Sequence, residues 1–176
     1  MPKGPLLPSE FVPTKYSSAA EKAEFGNALL HFLDAECPQE LFTKKLYNRI
    51  SMAFGHIAHY DRAGFYDTWF TSARHKAAFI EKTLRWPCHG DPEYTFSDVE
   101  HAVQRAVQDR NYLARFKLRA ADELRIAELN DLERLEAKYR NLKHPESAAP
   151  RSEPAAPSAS DTMRDYPNVP VQISLF

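Results

Sequence analysis

The fold is decided by residues 98–143, DVEHAVQRAVQDRNYLARFKLRAADELRIAELNDLERLEAKYRNLK. This stretch contains neither proline nor glycine, and its apolar residues recur every three or four positions. Such spacing places apolar side chains along one face of an α-helix. The sequence therefore predicts a single helix from about Asp98 to Lys143, which would be roughly 65–70 Å long at 1.5 Å per residue.

The apolar residues of this long helix form two groups. The first group is Val99, Val103, Ala106, Leu113 and Phe116. The second, distal group is Ile126, Leu129, Leu132, Leu135, Tyr139 and Leu142. A helix of this length extends beyond the shorter helices that precede it, so its distal half must self-associate, fold back or stand exposed. We predict that it associates, and a homo-oligomer through the long helix is the expected result.

The first of three shorter helices is predicted to begin at Ser17 or Ser18. Ser18 and Glu21 have the spacing of a capping box, in which each residue satisfies the other's backbone N–H. Pro38 then ends this helix, because proline interrupts the backbone hydrogen bonds of a helix interior.

The second and third helices are predicted from about Gln39 to Tyr60 and from about Ser72 to Trp86. Asp61–Gly64 is predicted as a break between them. Ser97 and Glu100 repeat the capping-box spacing, which we expect to mark the start of the long helix.

Composition divides the chain into four segments. Residues 1–16 contain four prolines and are predicted as an extended arm, and residues 17–143 as a helical domain. Residues 144–171 are rich in Ala, Pro and Ser and are predicted as a disordered linker to the final residues 172–176. The predicted fold class is all-α, a small helical domain with one long C-terminal helix followed by a disordered tail.

Charge and cysteine content exclude several classes of protein. The chain has 23 Lys and Arg against 24 Asp and Glu, which argues against bulk electrostatic binding to nucleic acid. Its two cysteines, Cys37 and Cys88, lie far apart, which favours a reducing compartment over a disulfide framework. No signal-peptide pattern and no apolar run of membrane-spanning length occurs. We therefore expect a cytoplasmic protein with no membrane partner.

The last five residues are Gln172-Ile173-Ser174-Leu175-Phe176. Leu175 and Phe176 are large apolar residues at the end of a polar segment, and each would gain roughly 1.5–3 kcal/mol on full burial. The Gln172 amide both donates and accepts hydrogen bonds, which suits it to orient a peptide at the rim of a pocket. This pattern favours a peptide that binds a pocket on a partner.

The pentapeptide resembles the clamp-binding motif of bacterial replication and repair proteins, which reads Gln, a hydrophobic residue, Ser or Asp, Leu, Phe. That motif binds the ring-shaped DNA sliding clamp. Ile173 stands where Leu is commoner. The resemblance implies an accessory or regulatory protein tethered to the clamp, acting in replication, repair or a mobile element, including as an inhibitor of the clamp.

Other interpretations of the tail remain open. Ser174 and Phe176 have the pattern of a ligand for PDZ domains, and the tail could also bind the protein's own helical surface. A final strand of an outer-membrane barrel is excluded, because the chain lacks alternating strands and an export signal. The alternative function is a helical protein-interaction or DNA-binding module whose tail binds another partner.

His56 and His59 are the candidates for a metal site. At positions i and i+3 of a helix, both rings can face one metal ion. The site would need a further ligand, such as Asp61, His75 or His89. Ile57 marks the buried face of the helix, and the two histidines flank it. We therefore favour the interpretation that both histidines lie at the edge of the core and hydrogen-bond to their neighbours. We therefore predict no metal or other cofactor. A metal-dependent enzyme that uses His56 and His59 remains as the third functional hypothesis.

The middle of the long helix is locally basic and is a candidate for contact with DNA phosphates. Its basic residues are Arg110, Arg115, Lys117, Arg119 and Arg125. We favour a solvated helix face with ion pairs along it, because the net charge of the whole chain is only −1.

Two further groups of residues are candidate sites. Cys88 and His89, near Asp91, suggest a nucleophile and base, but adjacent residues usually point apart and no third orienting group is evident. We predict no catalytic residue.

An aromatic group can stack on nucleic-acid bases, but at helical spacing it more often belongs to the core. It consists of Phe65, Tyr66, Trp69 and Phe70.

Overall fold

The computed structural model describes residues 4–54 and 61–142, with side chains up to residue 140. Within these ranges the chain forms six α-helices and no strand. The all-α class is therefore confirmed. The helices are α1 (Ala19–Asp34), α2 (Lys44–Ala53), α3 (Arg62–Trp69), α4 (Ala73–Leu84), α5 (Ser97–Asp109) and α6 (Tyr112–Leu142).

The chain divides into two units, Met1–Leu135 and Glu136–Phe176. The first unit holds the hydrophobic core, to which all of the first five helices and the start of α6 contribute. Its fully buried side chains include Leu29, Phe32, Ile50, Phe65, Val103 and Tyr112. The predicted linker and C-terminal pentapeptide lie outside the described residues.

The prediction of one continuous helix over residues 98–143 was wrong, because the chain breaks at Arg110 and Asn111 into α5 and α6. Asn111 has a φ of 55°, in the left-handed region that asparagine tolerates better than most residues. Its N–H donates to the Gln108 carbonyl (3.0 Å), and its own carbonyl accepts from the Arg115 N–H (3.2 Å). The break changes the phase of the helix so that the Tyr112 side chain is fully buried.

This geometry makes Asn111 sensitive to a β-branched replacement. Asn111→Gly is expected to keep the stability of the parent chain, because glycine adopts positive φ without steric cost. Asn111→Val is expected to lower the free energy of unfolding by about 1–2 kcal/mol. Urea denaturation followed by circular dichroism measures both, and equal stability of the two variants would contradict a left-handed residue at this position.

Two boundaries between the shorter helices also differ from the prediction. Gln39–Leu41 is a 3₁₀ turn, and the second α-helix begins only at Lys44. Asp61–Gly64 is not a break, because Asp61 is the N-cap of α3 and its Oδ1 accepts a hydrogen bond from the Gly64 N–H (2.7 Å). The aromatic segment after it is therefore part of a helix.

The start of α1 follows the prediction. Ser18 is the N-cap, and its Oγ accepts from the Glu21 N–H (3.2 Å) while Glu21 Oε2 accepts from the Ser18 N–H (2.8 Å). The capping box is confirmed. The hydrogen bonds from Ser18 lower the pKa of the Glu21 carboxyl below its ordinary value.

The same spacing at Ser97 and Glu100 does not form a capping box. Phe96 is the N-cap of α5, and no side chain caps it. Ser97 Oγ donates instead to the Gly90 carbonyl (2.8 Å), and Glu100 Oε2 accepts from Trp86 Nε1 (3.0 Å). Both side chains are buried against the connection from α4 to α5, so neither of them caps the N-terminus of α5.

The N-terminal arm packs on the helices. Phe11 is buried in the core, and Pro8–Glu10 forms a 3₁₀ turn. The Leu6 backbone donates to Asn27 Oδ1 (2.8 Å) and accepts from Asn27 Nδ2 (2.9 Å). A Cβ on Gly26 would lie 2.6 Å from Leu6 Cδ1, so glycine allows the arm to approach α1 closely.

Candidate functional site

The sequence-predicted site residues fall into two sets. Gln172-Ile173-Ser174-Leu175-Phe176 and the histidine pair His56 and His59 lie outside the described residues. The basic residues, Cys88 and His89, and the aromatic group lie within them. Among residues 4–54 and 61–142, no group of three or more His, Cys, Asp or Glu side chains could hold a metal ion.

The aromatic group belongs to the core, as favoured from its spacing. Phe65 is fully buried and Phe70 is 1% exposed, while Tyr66 and Trp69 are partly buried against them. The Phe70 ring centroid lies 4.9 Å from that of Phe32, in an edge-on arrangement. The rings of Phe65 and Phe70 therefore present no exposed face on which a base could stack.

A polar cluster fixes the start of α6 to the end of α1. Tyr112 Oη donates to Asp34 Oδ1 (2.5 Å), and Arg110 Nη1 lies 2.5 Å from Asp34 Oδ2. Arg115 Nη2 donates to the Leu33 carbonyl (2.9 Å), and its guanidinium lies 4.7 Å from the Tyr112 ring centroid. Burial, followed by the hydrogen bond to Asp34, raises the pKa of Tyr112 to about 12. Two of the predicted DNA-contacting arginines thus have partners inside the fold.

The remaining basic residues lie further along α6. Lys117 Nζ is 2.6 Å from Glu81 Oε1, and Arg119 pairs with Glu36. The hydrogen bond from Lys117 is the main cause that lowers the pKa of Glu81. Arg125 is exposed. For every one of these basic residues except Arg125, DNA phosphates would have to compete with a partner within the chain. DNA contact by this segment stays a prediction.

Cys88 does not have the chemistry of a nucleophile. Its Sγ lies 3.5 Å from the Trp86 carbonyl oxygen. Burial, with a smaller contribution from the Glu100 carboxylate, raises the pKa of the Cys88 thiol to about 11. A thiol with that pKa is protonated at neutral pH, whereas the thiolate is the reactive form.

Glu100 was missed as a buried acid because its spacing indicated a helix cap. Burial raises the pKa of its carboxyl above the ordinary value of 4.5, although hydrogen bonds from Trp86 and Cys88 oppose the shift. A raised pKa means that the folded state binds this proton more tightly than the unfolded state does. Stability is therefore lost as the pH rises from 4.5 through the folded pKa.

We expect Glu100→Gln to remove this loss. The amide oxygen can still accept from Trp86 Nε1, but it carries no charge to bury. The variant should equal the parent chain in stability near pH 4 and exceed it at pH 7. Urea denaturation at pH 4 and pH 7 measures the free energy of unfolding of both chains. If the stability of the variant relative to the parent fell between pH 4 and pH 7, the raised pKa of Glu100 would be contradicted.

Lys22 is a second buried charge that the sequence interpretation missed. Its side chain is fully buried, and its Nζ donates to the Pro92 carbonyl (2.8 Å) and to Asp98 Oδ1 (3.0 Å). It lies three and seven residues before Phe25 and Leu29, on the apolar face of α1. A lysine in register with core residues is the signal that would have found it. It joins α1 to the start of α5.

A groove of about 220 Å³ lies between α1 and α2. Phe25, Leu41 and Leu46 contribute its apolar lining, and the ion pair between Lys45 and Glu24 (2.6 Å) lies at its polar edge. Its size and lining suit a single apolar side chain with a polar neighbour.

The distal part of α6 within the first unit is bare. Every residue from Ala121 to Leu135 is exposed, including the apolar residues predicted to associate. Ile126, Leu129, Leu132 and Leu135 are 59%, 51%, 52% and 44% exposed. In the second unit Tyr139 is 56% exposed, and the Leu142 side chain lies outside the described part. Within a single copy, then, no described residue buries the apolar side chains of this distal part of α6, and its association stays a prediction.

Comparison of the chain with protein-family models, curated proteins and solved structures found no match. In the described part of the chain, no helix combines the length and apolar character needed to cross a membrane. A function is therefore inferred from the chemistry of this chain's own residues.

Proposed function

We propose that this protein is an accessory or regulatory factor tethered to the bacterial DNA sliding clamp through residues 172–176. One observation carries the proposal. The sequence Gln172-Ile173-Ser174-Leu175-Phe176 has the Gln, hydrophobic, Ser, Leu, Phe order of clamp-binding peptides. The process it serves is DNA replication, DNA repair or the life cycle of a mobile element.

The side chains of the pentapeptide have different roles in the proposed binding. Leu175 and Phe176 are the anchors, because large apolar residues in a desolvated pocket dominate peptide interfaces. Gln172 fixes the orientation of the peptide through its amide donor and acceptor. Ile173 and Ser174 complete the spacing between the amide and the two anchors.

The rest of the chain is proposed to be the cargo that the pentapeptide brings to the clamp. The core of the first unit, as described, is built from residues between Phe11 and Phe116, far from the pentapeptide in sequence. Residues 144–171 are the proposed tether, and 28 residues of flexible chain would have a root-mean-square span of about 30 Å. This reach lets the folded unit act on proteins or DNA next to the clamp, either assisting or blocking them.

The test is a pull-down of purified sliding clamp by the immobilised protein, run with the full chain and with a chain that ends at Val171. The full chain is expected to retain the clamp and the shortened chain to lose it. Retention by neither chain would favour the alternative of an interaction module whose tail binds another partner. Circular dichroism of both chains controls for folding.

A further inference from the structure

We propose that one face of α6 is a self-association surface on which a second copy of this chain binds antiparallel, with the two-fold axis between Ile126 and Ala127. The six residues of this face, the free face, are Leu118, Ala121, Arg125, Glu128, Leu132 and Leu135. The partner is a second copy of the same chain, and the surface is separate from the proposed clamp-binding peptide.

The folded unit does not cover the free face, because α6 packs on the unit through its opposite side. Phe116 is buried in the core, and the Glu123 carboxylate, seven residues on, accepts from the Ala73 N–H (3.1 Å). Leu118 and Ala121 each lie two residues from one of these contacts, which is about 200° around a helix. Leu118 is accordingly 66% exposed.

The spacing of the free face is that of a coiled-coil seam. Its residues are separated by steps of three, four, three, four and three, as at the a and d positions of successive heptads. Leu124 and Leu129 lie at its two edges, whereas Ile126 lies outside it. Four of its members are apolar, and the two at its centre, Arg125 and Glu128, carry opposite charges.

These two charges select the direction of the partner. In a parallel, in-register pair, Arg125 would face Arg125 and Glu128 would face Glu128 of the second copy, and both contacts are repulsive. In the antiparallel pair each Arg125 lies opposite Glu128 of the second copy, and the contact occurs twice. Like-charge contacts of this kind are the usual means by which a helix excludes a wrong arrangement.

The same antiparallel register also matches the apolar layers. With the axis between residues 126 and 127, Leu118 lies opposite Leu135 of the second copy, and Ala121 lies opposite Leu132. Each pair again occurs twice, so that four apolar layers flank the two charged layers at the centre. The seam from residue 118 to residue 135 is about 26 Å long at 1.5 Å per residue.

A partner would also stabilise the bare part of α6, because in proteins most helical stability comes from packing of an apolar face. From residue 121 to residue 135 all side chains of α6 are exposed, and apolar side chains recur among them. Antiparallel pairing supplies the missing cover for these apolar side chains.

The test is sedimentation equilibrium of the full chain in the absence of the clamp. The parent chain is expected to dimerise. Leu132→Glu should raise the dimer dissociation constant at least about 100-fold, since it places a charge in two apolar layers. Ile126→Glu is the matched control, a similarly exposed apolar residue outside the free face, and should change the constant by less than about threefold.

Charge exchange tests the direction of the pairing with variants that leave the apolar layers intact. Arg125→Glu and Glu128→Arg should each weaken the dimer at least about tenfold, and the double variant should restore it. In a parallel dimer each single change would only replace one repulsive pair by another and leave the constant unchanged. A parent chain that stays monomeric at about 100 μM, or a double variant no tighter than the single variants, would overturn the proposal.

Discussion

Replacing Phe42 by alanine is expected to lower the free energy of unfolding by about 3–5 kcal/mol. Phe42 is 2% exposed and stands at the centre of the aromatic core. Its ring centroid lies 5.4–6.1 Å from those of five neighbours, namely Phe32, Tyr47, Phe65, Tyr66 and Phe70. Removing the ring loses both its burial and these contacts, and it leaves a cavity that the surrounding helices cannot fill.

Such a loss is large beside the 5–15 kcal/mol by which domains are usually stable, about a fifth of it or more. Denaturation by urea, followed at the helical circular dichroism signal, measures it. Tyr94→Ala is the matched control, because Tyr94 is an aromatic residue that is 79% exposed, and its change should stay within about 0.5 kcal/mol. A Phe42 variant within about 1 kcal/mol of the parent would contradict the core described above.

The double change of Leu175→Ala and Phe176→Ala is expected to weaken binding to the sliding clamp by two or more orders of magnitude. A short peptide of this type is expected to bind at about micromolar strength, near −8 kcal/mol. Each lost anchor removes roughly 1.5–3 kcal/mol of apolar burial. Gln172→Ala should cost less than the double change and remain measurable, because it removes the orienting amide alone.

Titration of the clamp with each variant measures these affinities, with circular dichroism as the control for folding. The folded unit should keep its helical signal in every variant. Unchanged affinity in the double variant would refute the role of the two anchors. A loss of helical signal would instead favour a tail that binds the protein's own surface.

Local sequence rules predict the start of α1 correctly because the capping box at Ser18 and Glu21 is a contact between neighbours in sequence. The break at Asn111 could not be predicted in this way. No proline or glycine marks it, and asparagine is only a weak signal for positive φ. The break is fixed by the burial of Tyr112 and its hydrogen bond to Asp34, a residue 78 positions away in the chain.

Tertiary contacts also decide the outcome at Ser97 and Glu100. Their spacing matches a capping box, but Gly90 and Trp86 offer better partners once α4 and α5 are in place. The free face of α6 likewise could not be identified from local spacing alone. Its heptad spacing is present in the sequence, but it becomes distinct only when Phe116 and Glu123 establish which side of the helix is docked. The C-terminal motif differs, because all five residues proposed to bind the clamp are contiguous in sequence.

The most direct test of clamp tethering is a calorimetric titration of the purified clamp with three partners. These are the full chain, the chain ending at Val171, and a synthetic peptide of residues 144–176. The full chain and the peptide are expected to bind with dissociation constants within about threefold of each other, near micromolar, and the shortened chain is expected not to bind. Binding of the shortened chain as tight as that of the full chain would contradict the proposed tether.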